Sequence, residues 1–380
     1  MAFSYTSPQS DRRKVLCNGG ALAFTGIVSS LLVGGKTVLA APLAGDALEV
    51  DEVAVRIVID SYQIAVAPDL NVDNVEINRF GFALGNHPPG KALLSEFGLS
   101  MLGTAKRGAQ TSNVLVDFGY TPQSLLNNLE LLGIKASQLD ALVLSHGHYD
   151  HFGGLAGFLA ANREGLKPGL PIYLGGEECF CARSWLAPPM KGDFGALDRD
   201  ALEQAKLSIM FAPGPSVVGG LGFTTGRIDL TSFEKVLSPS AMKIGRTGNF
   251  GCYPVEFTPA EREKETIPDQ FRHEIGTAYN LRGRGLVVLT SCSHRGVVNI
   301  VRQAQAASGV QKVHAVIGGF HLAPQKEDYV RQTIRALGEI NPDFVIPLHC
   351  SGEPFYEIMK SEMPTKLLRG YTGTQFVFHA

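Results

Sequence analysis

The chain lacks the charge imbalance with which proteins bind nucleic acids. Its 380 residues hold 34 Lys and Arg against 36 Asp and Glu, so the formal net charge is −2. Nucleic-acid-binding domains usually carry a clustered basic excess, because they must neutralise phosphates. Internal repeats and low-complexity tracts are also missing, as in an ordinary globular protein. The composition therefore favours a small-molecule substrate and no nucleic-acid partner.

Cysteine is scarce and irregularly spaced. The chain has six cysteines. Those beyond the N-terminal segment are Cys179, Cys181, Cys252, Cys292 and Cys350. An odd number without regular spacing does not make a disulfide framework. Cys179 and Cys181 are too close in sequence for a relaxed bridge to each other. We therefore predict at least one free thiol.

The first forty residues are poor in charge and differ from the rest. Arg12-Arg13 precedes an almost uncharged stretch at 15–39, and Val38-Leu39-Ala40 is a small-residue cleavage site. This pattern predicts an export signal over residues 1–41, and the paired arginines resemble the twin-arginine type. The alternative is a membrane anchor, but the glycines and weak hydrophobicity count against it. We expect a periplasmic or otherwise exported protein that engages the twin-arginine export machinery and has no stable membrane anchor after cleavage.

Beyond residue 41, short apolar runs alternate with helical patterns. A helix is predicted from Thr121-Pro122 to Gly133, and another that stops at Gly338. The stretch from about 180 to 270 lacks long periodic runs and is predicted to be irregular. The alternation predicts an α/β layered fold, as a single domain over 42–380. Strands are predicted from β-branched and apolar content at 53–59, 113–117, 141–144, 171–174, 285–290, 313–317, 343–346 and 375–378.

Six of the ten histidines directly follow apolar strands. In α/β sheets, ligand sites assemble at the carboxyl ends of the strands, so these imidazoles should converge on one edge. His87, His314 and His379 are predicted to have no catalytic role. The six are His146, His148, His151, His294, His321 and His349.

The segment Ser145-His-Gly-His-Tyr-Asp-His151 carries three histidines and one aspartate. His146 and His148 lie two apart in extended chain, so their side chains point to the same side and can share one ion. Asp150 and His151 begin the next turn, which aims them at a second position nearby. The alternative is a loop of ordinary polar residues, but this spacing rarely arises by chance. The motif predicts a site for two metal ions.

This motif resembles the His-x-His-x-Asp-His of the metallo-β-lactamase superfamily. Asp117 in Leu115-Val-Asp-Phe-Gly119 matches that family's first motif, an Asp at a strand end. The chain looks most like the subgroup of dihydropterin-ribofuranosyl-aminobenzene phosphate synthases and related metallohydrolases. The resemblance implies an αββα sandwich with metals at one edge of the paired sheets. The stretches that carry the closer likeness are Glu96–Ser100, Ser291–Gly296, Gly318–Leu322 and Pro347–Gly352.

The resemblance also implies a set of metal ligands, and the chain departs from the family's pattern at some positions. Asp117 is expected behind the ligands, where it accepts the other N–H of a histidine. The superfamily usually supplies a bridging Asp near Cys292, so either Cys292 is a weak ligand or water and hydroxide bridge alone. The subgroup generally has His where Phe97 lies and Gly where Ser291 lies, which bears on substrate contacts more than on metals. The implied ligands are His146, His148 and His294 for one ion, and Asp150, His151 and His349 for the other.

Nitrogen and oxygen ligands suit two Zn²⁺ ions, with Mn²⁺ or Fe²⁺ as alternatives. Two ions would acidify a shared water into a hydroxide that attacks a phosphoryl or carbonyl centre. Asp150 would orient as well as ligate. His321 would protonate the leaving group or bind substrate, with a purely structural role as its alternative. We predict a dinuclear hydrolase of a phosphoester or related anionic ester.

Two other functions stay open at this point. One is a synthase-type transferase of pterin biosynthesis, which the same resemblance suggests and which export argues against. The other is a metal-binding or redox protein without turnover. β-Lactam hydrolysis fits poorly, because the likeness to that branch ends at the shared motifs.

Overall fold

Two β-sheets, of ten and seven strands, pack face to face at the centre of the molecule. The computed structural model describes residues 38–43, 45, 47–80, 90–187 and 191–380. The described residues form one compact unit. The strands are β1 (Val38–Leu39), β2 (Glu49–Val50), β3 (Glu52–Ile59), β4 (Leu70–Val72), β5 (Val75–Asn78), β6 (Ser100–Arg107), β7 (Gln110–Val116), β8 (Ala141–Val143), β9 (Pro171–Leu174), β10 (Ala182–Trp185), β11 (Gly192–Gly195), β12 (Ser208–Phe211), β13 (Ser216–Val218), β14 (Gly222–Arg227), β15 (Ser240–Lys243), β16 (Arg246–Thr247), β17 (Phe250–Gly251), β18 (Thr266–Pro268), β19 (Ile275–Leu281), β20 (Gly285–Thr290), β21 (Val313–Gly319), β22 (Phe344–Leu348) and β23 (Gln375–His379).

Helices cover the outer face of each sheet. One layer packs on the ten-stranded sheet through Leu125 and Phe158, and another packs on the seven-stranded sheet through Val301 and Ile334. The architecture is therefore the predicted αββα sandwich. The helices are α1 (Pro122–Leu131), α2 (Tyr149–Phe152), α3 (Leu155–Ala161), α4 (Arg199–Gln204), α5 (Pro259–Arg262), α6 (Val297–Ser308), α7 (Glu327–Ile340) and α8 (Gly352–Glu362).

The apolar runs of the sequence are explained by burial on both faces of a strand. On β20, Val287 and Leu289 face the space between the sheets, whereas Val288 faces the helices. Successive side chains of a strand point to opposite faces, so a strand between two layers must be apolar throughout. The predicted strands are all present, with bounds shifted by a few residues.

The sheets run in the order β1-β12-β9-β8-β7-β6-β3-β23-β5-β4 and β13-β14-β19-β20-β21-β22. β7, β8, β9 and β12 are parallel neighbours, and so are β20, β21 and β22. The carboxyl ends within each parallel group lie at one edge. This arrangement positions the segments after β7, β8, β20, β21 and β22 for a common site.

Local signals set the helix ends, with one exception. Thr121 caps α1 and accepts a hydrogen bond from Ser124 N, as predicted. Helix α7, in contrast, passes through Gly338 and ends at Ile340, and its C-cap residue Asn341 has a left-handed conformation. The predicted stop at Gly338 is wrong because asparagine also tolerates the left-handed cap that glycine usually supplies.

Residues 180–270 are more regular than predicted. β10, β11, β15 and β18 form a separate four-stranded antiparallel sheet, and β12 to β14 extend the two central sheets. These strands have six residues or fewer, which is too short for a clear periodic pattern. A disulfide joins Cys181 to Cys252, whereas Cys179, Cys292 and Cys350 are free. The prediction of at least one free thiol is confirmed.

Most of the predicted export signal, and His87, lie outside the described residues. The described end of that segment forms β1, which pairs with β12 at the edge of the ten-stranded sheet. Among the helices of the described chain, none has the length and apolar character needed to cross a membrane.

Candidate metal centre

The histidine motif occupies the turn between β8 and α2. His148 is the N-cap residue of α2, and Asp150 and His151 lie in its single turn. Gly147 is required by close packing: a Cβ there would contact the guanidinium of Arg183 and lie 2.7 Å from Cys179 O. The loop thus turns its imidazoles inward while its backbone lies against β10.

Three histidines from two segments form what we call the imidazole triad, namely His146, His148 and His294. Their candidate ligand atoms lie within 4.8 Å of one another. His294 follows β20 and stacks on Phe271 with ring centroids 3.9 Å apart. All three histidines are buried. The structure therefore brings together the residues predicted to hold the first ion.

A second group, the carboxylate triad, consists of Asp150, His151 and His349, whose candidate ligand atoms also lie within 4.8 Å of one another. His349 Nε2 is 3.2 Å and His151 Nε2 is 3.6 Å from Asp150 Oδ2. The ring centroids of His146 and His151 are 4.2 Å apart, so the two triads adjoin. The residues predicted for the second ion are thus also together, although their role as ligands stays a prediction.

Outer partners engage one nitrogen of several imidazoles. His151 Nδ1 lies 2.7 Å from Asp117 Oδ2, which is the contact expected for Asp117. Ser145 Oγ lies 2.9 Å from His146 Nδ1 and donates to Asp117 Oδ2 at 2.7 Å. A partner on one ring nitrogen sets the tautomer and aims the other nitrogen. Asp117 and Ser145 therefore orient two imidazoles from behind.

The sequence analysis missed several of these supporting residues. Ser240 Oγ lies 3.2 Å from His148 Nε2, and it belongs to the stretch predicted to be irregular. His273 Nε2 accepts a hydrogen bond from Gly147 N, and it contacts the buried Arg183. Only Ser145, next to the motif and after a predicted strand, carried a signal in the sequence. Ser240 and His273 are brought in by tertiary structure alone.

Buried nitrogens without partners mark the centre of the site. Among the described residues, no hydrogen-bond partner reaches His146 Nε2 or either ring nitrogen of His294. Leaving a buried polar atom unpaired costs about 1–3 kcal/mol, so such atoms are rare in folded proteins. Imidazole nitrogens and carboxylate oxygens are good donors for divalent cations. The residues present therefore fit a metal site.

The imidazole triad is electrostatically suited to neutral donors. Burial, helped by the neighbouring histidines, holds the pKa of His146 and of His294 well below the usual value. Burial also lowers the pKa of His148 to about 3. A metal ligand must be deprotonated, so these imidazoles have their donor pairs free at neutral pH.

The carboxylate triad instead stabilises positive charge. Burial alone would raise the pKa of Asp150, but His151 and the close approach of His349 Nε2 outweigh burial and hold that pKa below its usual value. Burial alone would lower the pKa of His349, but the charges of Cys350 and Asp150 raise it to about 9. This half of the site therefore favours a cation, either a proton or a metal ion.

Cys292 lies between the two triads. Its Sγ is 3.1 Å from His151 Nε2 and 3.3 Å from Cys350 Sγ. It also groups with His146 and with His294 at ligand-like distances. This is the position where the resemblance implied a bridging aspartate. Cys350 is also buried, and it groups with Cys292 and His349 at ligand-like distances.

His321 lies next to the imidazole triad. Its ring centroid is 4.3 Å from that of His294, and it is half-buried. Within the described chain neither of its ring nitrogens has a hydrogen-bond partner. Both nitrogens are buried, and the proposed role of His321 as a proton donor stays a prediction.

Backbone strain concentrates at the same place. Eight non-glycine residues of the described chain have positive φ. Strained conformations persist where the surrounding structure enforces them, and they cluster at functional sites. Five of the eight surround the candidate centre: Asp117, Phe271, Ser293, His321 and His349.

Comparisons with known proteins agree with this geometry. Residues 107–169 match the family model of the metallo-beta-lactamase superfamily. The chain is 29% identical over 315 residues to the 7,8-dihydropterin-6-methyl-4-(beta-D-ribofuranosyl)-aminobenzene-5'-phosphate synthase of Methanocaldococcus jannaschii, covering 80% of this chain and 96% of the relative. An uncharacterized protein of the same organism is 24% identical over 267 residues, covering 68% of this chain and 86% of the relative.

A solved structure shares the fold. It is a metal-dependent hydrolase of the beta-lactamase superfamily, 23% identical, with a TM-score of 0.61, and the match covers 85% of this chain and 98% of that chain. The fold implies divalent metal binding. Its motif, its αββα sandwich and these similarities give the chain the metallo-β-lactamase fold and a clear likeness to that superfamily.

Proposed function

We propose that the protein is a metal-dependent hydrolase of a phosphoester or a related anionic ester. The observation that carries the proposal is the pair of adjoining triads, with buried imidazole nitrogens that have no partner in the described chain. Two donor sets side by side suit hydrolysis, because both the attacking and the leaving oxygen require stabilisation.

We propose two bound divalent ions, with Zn²⁺ as the preferred metal. The imidazole triad offers nitrogen donors only, and Cys292 adds a thiol between the triads. Imidazole and thiolate favour zinc over harder cations such as Mg²⁺. When bound, such ions acidify water and neutralise negative charge that develops on the substrate.

The chain's own groups have separable tasks in this proposal. Asp150 orients the carboxylate triad through its close approach to His349 Nε2 and His151 Nε2. Asp117 and Ser145 keep the imidazoles in one tautomer. His321 donates a proton to the leaving group, because its ring nitrogens are free of internal partners in the described chain.

A synthase-type transferase is the second candidate. It is favoured by the similarity to the Methanocaldococcus jannaschii synthase, which spans 96% of that relative. Such a reaction would use the same metal centre but would join two substrates instead of adding water. The two functions are therefore separated by their products.

The test combines metal analysis with a substrate screen. Purified protein is expected to hold about two divalent ions per chain and to hydrolyse at least one class among phosphodiesters, phosphomonoesters, lactones and thioesters. The variant His148→Ala should lose both metal and turnover, whereas His379→Ala, at an exposed site outside the centre, should keep both. Full activity in His148→Ala would contradict the proposal. Metal-loaded protein that joins pterin substrates but hydrolyses no ester would favour the synthase.

We further propose that the protein is exported. The disulfide between Cys181 and Cys252 supports this, because such bonds persist mainly in oxidising compartments. Replacing both Arg12 and Arg13 by lysine should leave the protein in the cytoplasmic fraction, while Lys14→Arg should not. Equal periplasmic amounts of both variants would contradict twin-arginine export.

A further inference from the structure

A cavity opens beside the imidazole triad. Its volume is about 390 Å³, and it is lined by Tyr120, Tyr149, Asp193, Phe194 and Gly195. This is the size range of small-molecule sites. Tyr149 directly follows His148, and the Phe194 ring centroid is 6.3 Å from that of His148. We call this cavity the aromatic pocket.

The rings of the aromatic pocket come from three separate segments. Tyr120 precedes α1, Tyr149 begins α2, and Phe194 lies on β11. Tyr120 and Tyr149 meet edge to face with centroids 5.0 Å apart. Trp185 on β10 lies next to Phe194, with ring centroids 6.1 Å apart. The walls are therefore aromatic on more than one side.

The backbone holds these walls in place. Glu96 accepts hydrogen bonds from Tyr120 N at 2.6 Å and from Thr121 N at 2.9 Å. Gly195 has a φ of 76°, a conformation that side-chain-bearing residues seldom adopt. A Cβ at Gly195 would come no closer than 3.9 Å to Tyr149. Tyr120 remains 40% exposed, so a ligand has access to it.

The charge of the pocket is negative. Asp193 is the charged member of the described lining, and its side chain is exposed. Ser184 Oγ donates to Asp193 Oδ1 at 2.7 Å, which orients the carboxylate. Aromatic faces attract cations, and quaternary ammonium ligands are commonly held by such walls. An anionic group, by contrast, would be repelled by Asp193.

We propose that the aromatic pocket binds an organic cation, a quaternary or methylated ammonium group, carried by the substrate whose ester bond meets the two triads. The inference rests on the proposed hydrolysis for its link to the reaction. The anionic ester would lie over the metal centre and the ammonium group over the rings. The preferred substrate is thus a zwitterionic phosphoester.

Binding is tested with choline and its uncharged isostere 3,3-dimethylbutan-1-ol on the full metal-loaded protein. Trp185 is the one tryptophan of the chain and reports occupancy by its fluorescence. Choline should give a saturable change, with the isostere binding roughly tenfold more weakly, as expected for cation–π and charge attraction. Asp193→Asn should weaken that preference, because only the cation–π part remains, whereas the control Glu203→Gln, on exposed α4 surface, should keep it in full. No saturable change, or equal binding of both probes, would overturn the inference.

Kinetics separate this inference from the proposed function. For 4-nitrophenyl phosphorylcholine, Asp193→Asn should raise KM roughly tenfold with little change in kcat, because the pocket binds and does not react. For the matched 3,3-dimethylbutyl ester, the same substitution should change neither value. If the ester is hydrolysed and Asp193→Asn does not change its KM, the inference about the aromatic pocket is overturned but the proposed hydrolysis is not. Selective choline binding without hydrolysis of any ester supports the pocket and contradicts the hydrolase.

Discussion

The seven-stranded sheet buries one histidine near the amino ends of its parallel strands and another near their carboxyl ends. The two histidines differ in their hydrogen-bond partners. His314, near the amino end of β21, has Nδ1 at 2.7 Å from Asp343 Oδ2 and Nε2 at 3.2 Å from Asn74 Nδ2. His294, beyond the carboxyl end of β20, has no hydrogen-bond partner for either nitrogen within the described chain. The residues are 1% and 3% exposed, so burial does not distinguish them.

Electrostatics do not distinguish them either. Burial lowers the pKa of His314, although the hydrogen bond to Asp343 partly offsets it. Burial also lowers the pKa of His294. A structural histidine differs from a candidate ligand in whether its ring nitrogens have hydrogen-bond partners, because a folded protein seldom leaves a buried nitrogen unpaired without a ligand. The following predictions test that difference, beginning with the largest effect.

Replacing each histidine by alanine should have different effects, although the two side chains are equally buried. His294→Ala should lose bound metal and lower turnover by at least about a thousandfold, beyond the 10–100-fold typical of an outer partner. His314→Ala should keep its metal content and its turnover. Elemental analysis and single-substrate kinetics measure both. Equal losses of metal and turnover in the two variants would mean that missing hydrogen-bond partners do not identify the metal ligands.

The carboxylate partners offer a milder version of the same test. Asp117→Asn should weaken metal affinity 10–100-fold, because the amide no longer fixes the tautomer of His151. Asp343→Asn makes the same change beside His314 and should leave metal affinity unaltered. Competition with a chelator gives both affinities. The interpretation fails if Asp343→Asn releases metal as readily as Asp117→Asn.

In metal-free protein the order of effects should reverse. His314→Ala breaks two hydrogen bonds and should lower the free energy of unfolding by about 1–3 kcal/mol. His294→Ala breaks no side-chain hydrogen bond in the described chain, so it should cost less, with only the packing of its ring on Phe271 and on the neighbouring imidazoles lost. Urea denaturation in the presence of chelator compares the two. A larger loss for His294→Ala would contradict the idea that its nitrogens await a ligand.

The smallest expected effect is on stability and concerns a buried carboxylate that contacts neither histidine. Glu234 accepts a hydrogen bond from Asn299 N, and burial raises its pKa from 4.5 to about 7. The folded state then binds more protons than the unfolded state between these values, so this contribution to stability is complete below pH 4.5 and is lost as the pH rises through 7. Glu234→Gln should flatten the slope by at most about 1.4 kcal/mol per pH unit. Denaturation of metal-free protein across that window measures it, with unchanged metal affinity as the control; an unaltered slope would refute the assignment.

Much of the fold was predictable because its signals are local. The cap at Thr121, the apolar runs and the spacing from His146 to His151 each lie within one short segment. The prediction was less successful over 180–270, where strands of six residues or fewer show little periodicity. The prediction also ended helix α7 too early, at Gly338, because Asn341 supplies the left-handed cap.

The sequence by itself determined which residue types stand at the strand ends and hence an α/β layered fold, and its resemblance to a known family implied the αββα sandwich and the candidate ligands. Only the tertiary structure decided which nitrogens have partners: Ser240 reaches His148 across 92 residues, and His273 reaches Gly147 across 126. It also assembled the aromatic pocket from three segments. Local backbone and burial preferences are written in neighbouring residues, whereas hydrogen bonds between distant segments exist only once the sheets have packed.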